Sequence, residues 1–195
     1  MWIYQKKLQC PVNITKCDPT AARLIMTQYG GPDGEIGASL RYLSQRFGMV
    51  TPQAISLLSD IGTEELDHME IVATMVHQLT RDCTKEDIKA NNFDAGYIEH
   101  GFGIYPQSAA GDAANALSFQ SKGDPISDLY ENLAAEQKAR VAYEYLINMI
   151  DDPNVIKPLQ FLREREIVHF QRFGEALNFV KEHMDKRHMF YMNPQ

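Results

Sequence analysis

Basic charge is in short supply in this 195-residue chain: 19 Lys and Arg stand against 26 Asp and Glu, a net charge of −7. Phosphate backbones are bound by basic faces, so no nucleic acid partner is expected. No apolar run nears the ~20 residues of a membrane-spanning helix, so no membrane partner is expected. The opening segment MWIYQKKLQCPV has Lys6 and Lys7 but no apolar stretch behind them, which predicts no signal peptide and an intracellular location. Cysteine is scarce as well. Cys10, Cys17 and Cys83 are an odd count without metal-type spacing, and Cys10 and Cys17 lie too far apart for a Cys-x-x-Cys iron site. Reduced thiols are the expectation. Low-complexity tracts and strand-type alternation are both absent. A chain that is 44% apolar and 23% charged is ordinary globular material, long enough to bury a core as one domain, residues 1–195.

Helix starts are what the sequence has in quantity. Asp18-Pro19, Thr51-Pro52, Asp124-Pro125 and Asp152-Pro153 each pair a capping oxygen with a proline at the first helical position. The oxygen takes an orphan N–H, and the proline gives up a donor that had no partner. Apolar residues at helical spacing follow each pair. They predict helices over 19–29, 33–47, 51–80, 125–150 and 153–184, with a weak short one near 84–91. Residues 92–123 show no period and read as a long excursion. The fold class is all-α: a four-helix bundle in which an excursion over 81–124 joins one helix pair, 33–80, to a second, 125–184.

Two of the apolar stripes are interrupted by charge. The first reads Leu58, Ile61, Glu65, His68, Val72, Met75, Leu79; the second reads Leu159, Leu162, Glu166, His169, Phe173, Ala176, Val180. The other two long helices carry one inward Glu each, Glu35 (with Ala38 and Tyr42) and Glu136 (with Ala139 and Tyr143). Glu35 precedes Glu65 by 30 residues and Glu136 precedes Glu166 by 30; the whole second set, with Tyr143 and Pro153, follows the first by 101. This is an internal duplication of a helix pair. Four carboxylates in one core repel each other, and an unpaired buried ion costs several kcal/mol. Two imidazoles do not neutralise them, whereas two divalent cations do. Glu, Glu-x-x-His, Glu, Glu-x-x-His from four helices is the dimetal arrangement of ferritin-like bundles. Carboxylate with imidazole suits Mn or Fe, and ligand type does not choose between them.

The segments QYGGPDGEIGASLRYLSQ (28–45), DIGTEELDHMEIV (60–72), LAAEQKAR (133–140) and FLREREIVHFQRF (161–173) resemble the manganese catalases. The similarity runs over nearly the whole chain, and the short form is most like the spore coat protein JC branch of that family. The resemblance implies a non-haem dimanganese centre, two Mn per subunit, disproportionating hydrogen peroxide to water and oxygen. By motif position it implies Glu35 and His68 on one metal, Glu136 and His169 on the other, and Glu65 bridging. Glu166 falls at a position beside the metals that acts as acid and base, and Tyr42 at a tyrosine that orients a ligand carboxylate. Some members place an arginine directly before the ligand matched by Glu136; here Ala135 stands there, and Arg140 is a candidate substitute. A homo-oligomer (a hexamer by resemblance) and other spore coat proteins are the implied partners. Longer members carry a C-terminal extension that wraps a neighbouring subunit, whereas this sequence stops at Gln195 after a polar tail.

Two other readings compete. One is a di-iron ferritin- or rubrerythrin-like oxidase or peroxidase; the other is a structural coat protein with a vestigial site. His77 and His100 have no partner at ligand spacing and read as surface or loop residues. Asp185-x-x-His188 repeats the spacing, but in a charged tail where no apolar stripe continues.

Overall fold

A computed structural model of the chain describes residues 7–187. Its helices are α1 (Pro19–Gly30), α2 (Glu35–Gln45), α3 (Pro52–Thr80), α4 (Lys85–Ala90), α5 (Asp94–His100), α6 (Pro125–Met149) and α7 (Pro153–Arg187). All four expected caps form. Asp18, Thr51 and Asp124 accept from the backbone N–H three residues on, and Asp152 accepts from Asn154. No strand occurs among the described residues; Gln107 and Ala113 form an isolated bridge.

Helix α2 packs on α3 and α6 on α7, while α3 also meets α7 and carries α1 on its flank. The α2–α3 crossing is tight because of Gly62: a Cβ there would stand 2.8 Å from the Leu43 side chain. Ser39 uses that approach to donate to the Gly62 carbonyl at 2.7 Å. Both interrupted stripes are inward along their whole length, every member buried. The apolar residues gather in two clusters. One holds Ile25, Ile71, Met75, Leu79, Tyr143, Leu159 and Leu162 among others; the second is built around Tyr42, Leu58, Ile61, Leu129, Phe173 and Val180. Buried aliphatic and aromatic side chains contribute roughly 1.5–3 kcal/mol each, so the clusters hold the helices together while a polar layer lies between them.

Three features depart from the sequence reading. Cys17 and Cys83 form a disulfide, their Cα atoms 5.4 Å apart, which overturns the expectation of reduced thiols; Cys10 is free and buried. The pair was hidden because 66 residues separate the two, and only packing of α1 on α3 brings their ends together, with Asp18 N–H donating to Leu79 O at 3.0 Å. The excursion also contains α5 and a 3-10 turn over Ala116–Phe119. Neither was legible, since α5 lacks a side-chain cap and leaves Tyr97 and Ile98 exposed, with no apolar stripe to detect. Finally, the excursion lies against the bundle at both ends. Pro106 and Gln107 press on Gly30, where a Cβ would sit 2.2 Å from the Pro106 carbonyl carbon. At the far end Asp128 accepts from the backbone N–H groups of Lys122 and Gly123, and Gln45 donates to Ser121. His188 of the Asp185-x-x-His188 repeat lies outside the described residues.

Candidate metal centre

Six side chains meet in the polar layer: Glu35 from α2, Glu65 and His68 from α3, Glu136 from α6, Glu166 and His169 from α7. All are buried, and the two histidines and Glu65 are 0% exposed. Glu65 lies between the imidazoles, Oε2 at 2.7 Å from His68 Nδ1 and Oε1 at 2.9 Å from His169 Nδ1. Flanking it, Glu35 Oε2 is 3.7 Å from His68 Nδ1, and Glu136 Oε2 is 3.6 Å from His169 Nδ1. Glu166 Oε1 stands farther out, 4.0 Å from His68 Nδ1. Glu65, His68, Glu166 and His169 each offer an atom within 4.8 Å of the others, a group able to hold a metal ion.

The donor set fits such an ion on a further count. Glu65 Oε1 and His169 Nδ1 are 2.9 Å apart yet not aligned as a hydrogen bond, and Glu136 Oε2 and Glu166 Oε1 are likewise buried without partners. Buried polar atoms normally find hydrogen bonds. Donors sharing a small octahedral cation stand about 3 Å apart with lone pairs converging on it, which accounts for orphans packed this closely.

Around this layer is a shell that the sequence reading caught only in part. Tyr42 donates to Glu136 Oε1 at 2.5 Å. Tyr143 does the same for Glu35, so each half of the duplication orients the other half's carboxylate. The 101-residue offset that pairs Tyr143 with Tyr42 was the available signal. Behind the imidazoles stands Glu64, missed altogether. Its Oε2 lies 3.1 Å from His169 Nε2 and its Oε1 3.7 Å from His68 Nε2. Arg165 grips it with Nε at 2.8 Å and Nη2 at 3.2 Å. Positions 64 and 165 are also 101 apart, so one symmetry-related pair has diverged into opposite charges that meet. With Nε2 of His169 bonded to Glu64, its Nδ1 is left to face the centre. Arg140 bonds Gln137 and Glu144 instead of entering the site, so it does not replace an arginine at Ala135. His77 is exposed, and His100 stacks on Tyr105 with ring centroids 3.7 Å apart, as surface and loop readings require.

Without cations the layer is held by protons. Burial, reinforced by Glu65, raises Glu35 to about 7 from the ordinary 4.5. Burial and then Glu136, Glu35 and Glu65 push Glu166 well above its usual range. Burial opposes charge on His68 and His169, but Glu65 and the other carboxylates win and raise both. Burial likewise disfavours charge on Glu65, yet the two imidazoliums hold it below the usual carboxylate range. The metal-free folded chain therefore binds more protons than the unfolded one between about pH 5 and 8, where Glu65 is ionised in both. Stability of that form should fall as pH rises through this window. Metal, which displaces those protons, should bind more tightly at pH 8 than at pH 6. Melting curves with and without chelator at pH 5, 6.5 and 8 check this; a chelated protein as stable as the loaded one at pH 8 would contradict it.

Known proteins agree with this architecture. The family described as manganese-containing catalase matches residues 1–190. Protein CotJC of Bacillus subtilis is 50% identical over 190 residues, covering 97% of this chain and 100% of that one. A probable manganese catalase of Clostridium acetobutylicum is 36% identical over 170 residues, covering 87% and 76%. The crystal structure of wild-type KatB, a manganese catalase from Anabaena, superposes with a TM-score of 0.86 at 33% identity, covering 100% of this chain and 86% of that one. With the family match spanning nearly its whole length and its helices following those of a solved member, the chain belongs to the manganese-containing catalase family.

Proposed function

We propose that the protein is a non-haem dimanganese catalase, disproportionating two molecules of hydrogen peroxide to two of water and one of oxygen. The observation that carries this is the buried layer of four Glu and two His with converging, unpartnered oxygen and nitrogen atoms. Glu35 and His68 would hold one manganese, Glu136 and His169 a second, with Glu65 between them. The metal pair, when bound, supplies the two-electron redox chemistry that disproportionation needs. The chain's own groups do the rest. Tyr42 and Tyr143 fix the outer carboxylates, and Glu64 with Arg165 fixes the histidine rings from behind. Glu166, whose Oε1 is free, holds and returns the proton that must move when an O–O bond breaks. The apolar clusters on either side keep bulk water from the layer.

Similarity to CotJC and to the spore-coat branch supports a place in a coat layer, and similarity to the family supports a homo-oligomer acting on peroxide. Protein grown with Mn and with Fe should be compared by metal analysis and oxygen evolution. The expected result is about two Mn per chain and vigorous oxygen release. Turnover confined to the iron form would favour the di-iron reading, and a fully Mn-loaded but inert protein would leave a structural coat role.

A further inference from the structure

Beside its inward stripe of Glu35, Ala38 and Tyr42, α2 carries a second one that faces out. Ile36, Leu40 and Leu43 lie on it, and Phe47 carries it into the 3-10 turn Arg46–Gly48. Phe47 is 81% exposed and Leu40 52%, while Ile36 and Leu43 are half-buried. Leu43 rests against Gly62 of α3, and Ile55, seven residues before Gly62 and so on the same side of α3, is also exposed. A helix face left to water carries polar and charged residues. The duplication supplies the comparison. At the positions 101 residues on, α6 has Gln137, Val141, Glu144 and Asn148, and Glu144 is bonded to Arg140 at 2.6 Å. The two helices hold equivalent places in the bundle, yet only α6 shows the polar face that water requires.

Steps of four, three and four residues are the spacing of a seam that packs on another helix. The two ends of this seam differ in charge. At the Ile36 end, Asp33 and Glu131 share one lysine, Lys138, which leaves a net negative group. At the other end the Arg46 guanidinium lies over the Phe47 ring, 4.8 Å from its centroid. We propose that this face packs against the same face of a second copy about a two-fold axis, which rests on the homo-oligomer reading above. The axis falls between Leu40 and Leu43. Each Leu40 meets the other copy's Leu43, and each Phe47 the other copy's Ile36. Antiparallel pairing also brings the acidic end of one seam to the Arg46 end of the other, where parallel pairing would set like against like. A face complementary to itself in both spacing and charge selects a second copy over an unrelated protein.

The test is analytical ultracentrifugation of the full metal-loaded chain. Wild type is compared with Leu40→Glu, Phe47→Glu, the double variant Ile36→Lys/Phe47→Glu, and Asn148→Glu at the position equivalent to Phe47. Wild type should be an oligomer with an even number of subunits, as a two-fold contact requires. Leu40→Glu and Phe47→Glu each enter the contact twice and should weaken it about 100-fold, roughly tenfold for each copy, halving the mass on dilution. The double variant sets opposite charges across the axis and should recover part of the loss, and Asn148→Glu should have no effect. Metal content and circular dichroism should match wild type throughout, since the side chains changed are exposed or half-buried. A monomeric wild type overturns the proposal together with the homo-oligomer reading. An oligomer that keeps its mass in both single variants of the seam overturns the proposal alone. So does an Asn148→Glu protein that dissociates as readily, because charge anywhere on the surface would then suffice. Seam variants that keep their mass but no longer bind isolated spore coats would place a coat protein on this face and overturn it as well.

Discussion

His68→Ala and His169→Ala should each cost the protein most of its metal at one position and at least about 100-fold in peroxide turnover, more than is typical for loss of a supporting group. Either truncation takes away a nitrogen aimed at the layer and leaves Glu65 with one imidazole in place of two. It also leaves a buried carboxylate short of positive charge, so thermal stability should fall with metal content. The two variants should behave alike because the duplication places them equivalently. A difference in degree is expected on one side: His169 bonds Glu64 at 3.1 Å while His68 is 3.7 Å from it, so Glu64 loses more when His169 goes. His77→Ala, at an exposed site near the end of α3, should change neither metal content nor rate. Metal analysis, melting and oxygen evolution on the three proteins settle the matter. Full metal and full activity in both ligand variants would remove the basis of the whole assignment.

Glu166→Gln should keep close to two metals per chain yet lose turnover by about 10²-fold or more, the scale of a lost general acid–base group. Glu65→Gln should lose the metals themselves. By symmetry the two glutamates are equivalent, and Glu166 belongs to the group of four whose donors lie within 4.8 Å. Their surroundings have diverged. Glu65 touches both imidazoles; Glu166 reaches only His68, at 4.0 Å. On the proposed ligand set, three carboxylates offset most of the charge on two divalent ions, and a fourth buried beside them is driven toward its protonated form. A buried carboxyl in that condition is placed to deliver and recover protons. Metal counts alongside oxygen-evolution rates distinguish the cases: a one-metal Glu166→Gln protein would restore the symmetric arrangement, with Glu166 as a ligand.

Much of this centre was legible because it is written in short range and then repeated. Glu65 and His68 share a helix face by virtue of three-residue spacing, whatever the helix packs against. The apolar residues on either side declare that face to be inward, and the 101-residue repeat supplies the second half. Tyr42 and Tyr143 lay on the same stripes, yet the partner of each is on the opposite half, a pairing no linear spacing encodes.

Helix starts, the all-α class, the inward stripes and the six polar residues on them follow from the sequence by itself, because capping and helical periodicity are local. Cys17 with Cys83, Glu64 behind the imidazoles, and the unpartnered Nε of Arg41 were decided only by the tertiary structure. Glu64 follows a threonine on a helix rich in charge and reads as solvated until α7 brings Arg165 and His169 against it. Arg41 reads as a surface arginine until the excursion folds over α2 and Ser118 takes its Nη2. In each case the deciding group comes from a segment 66 to 105 residues away. A long-range contact has no local signature: it exists because two apolar faces found each other, and the polar groups at their margins were carried along.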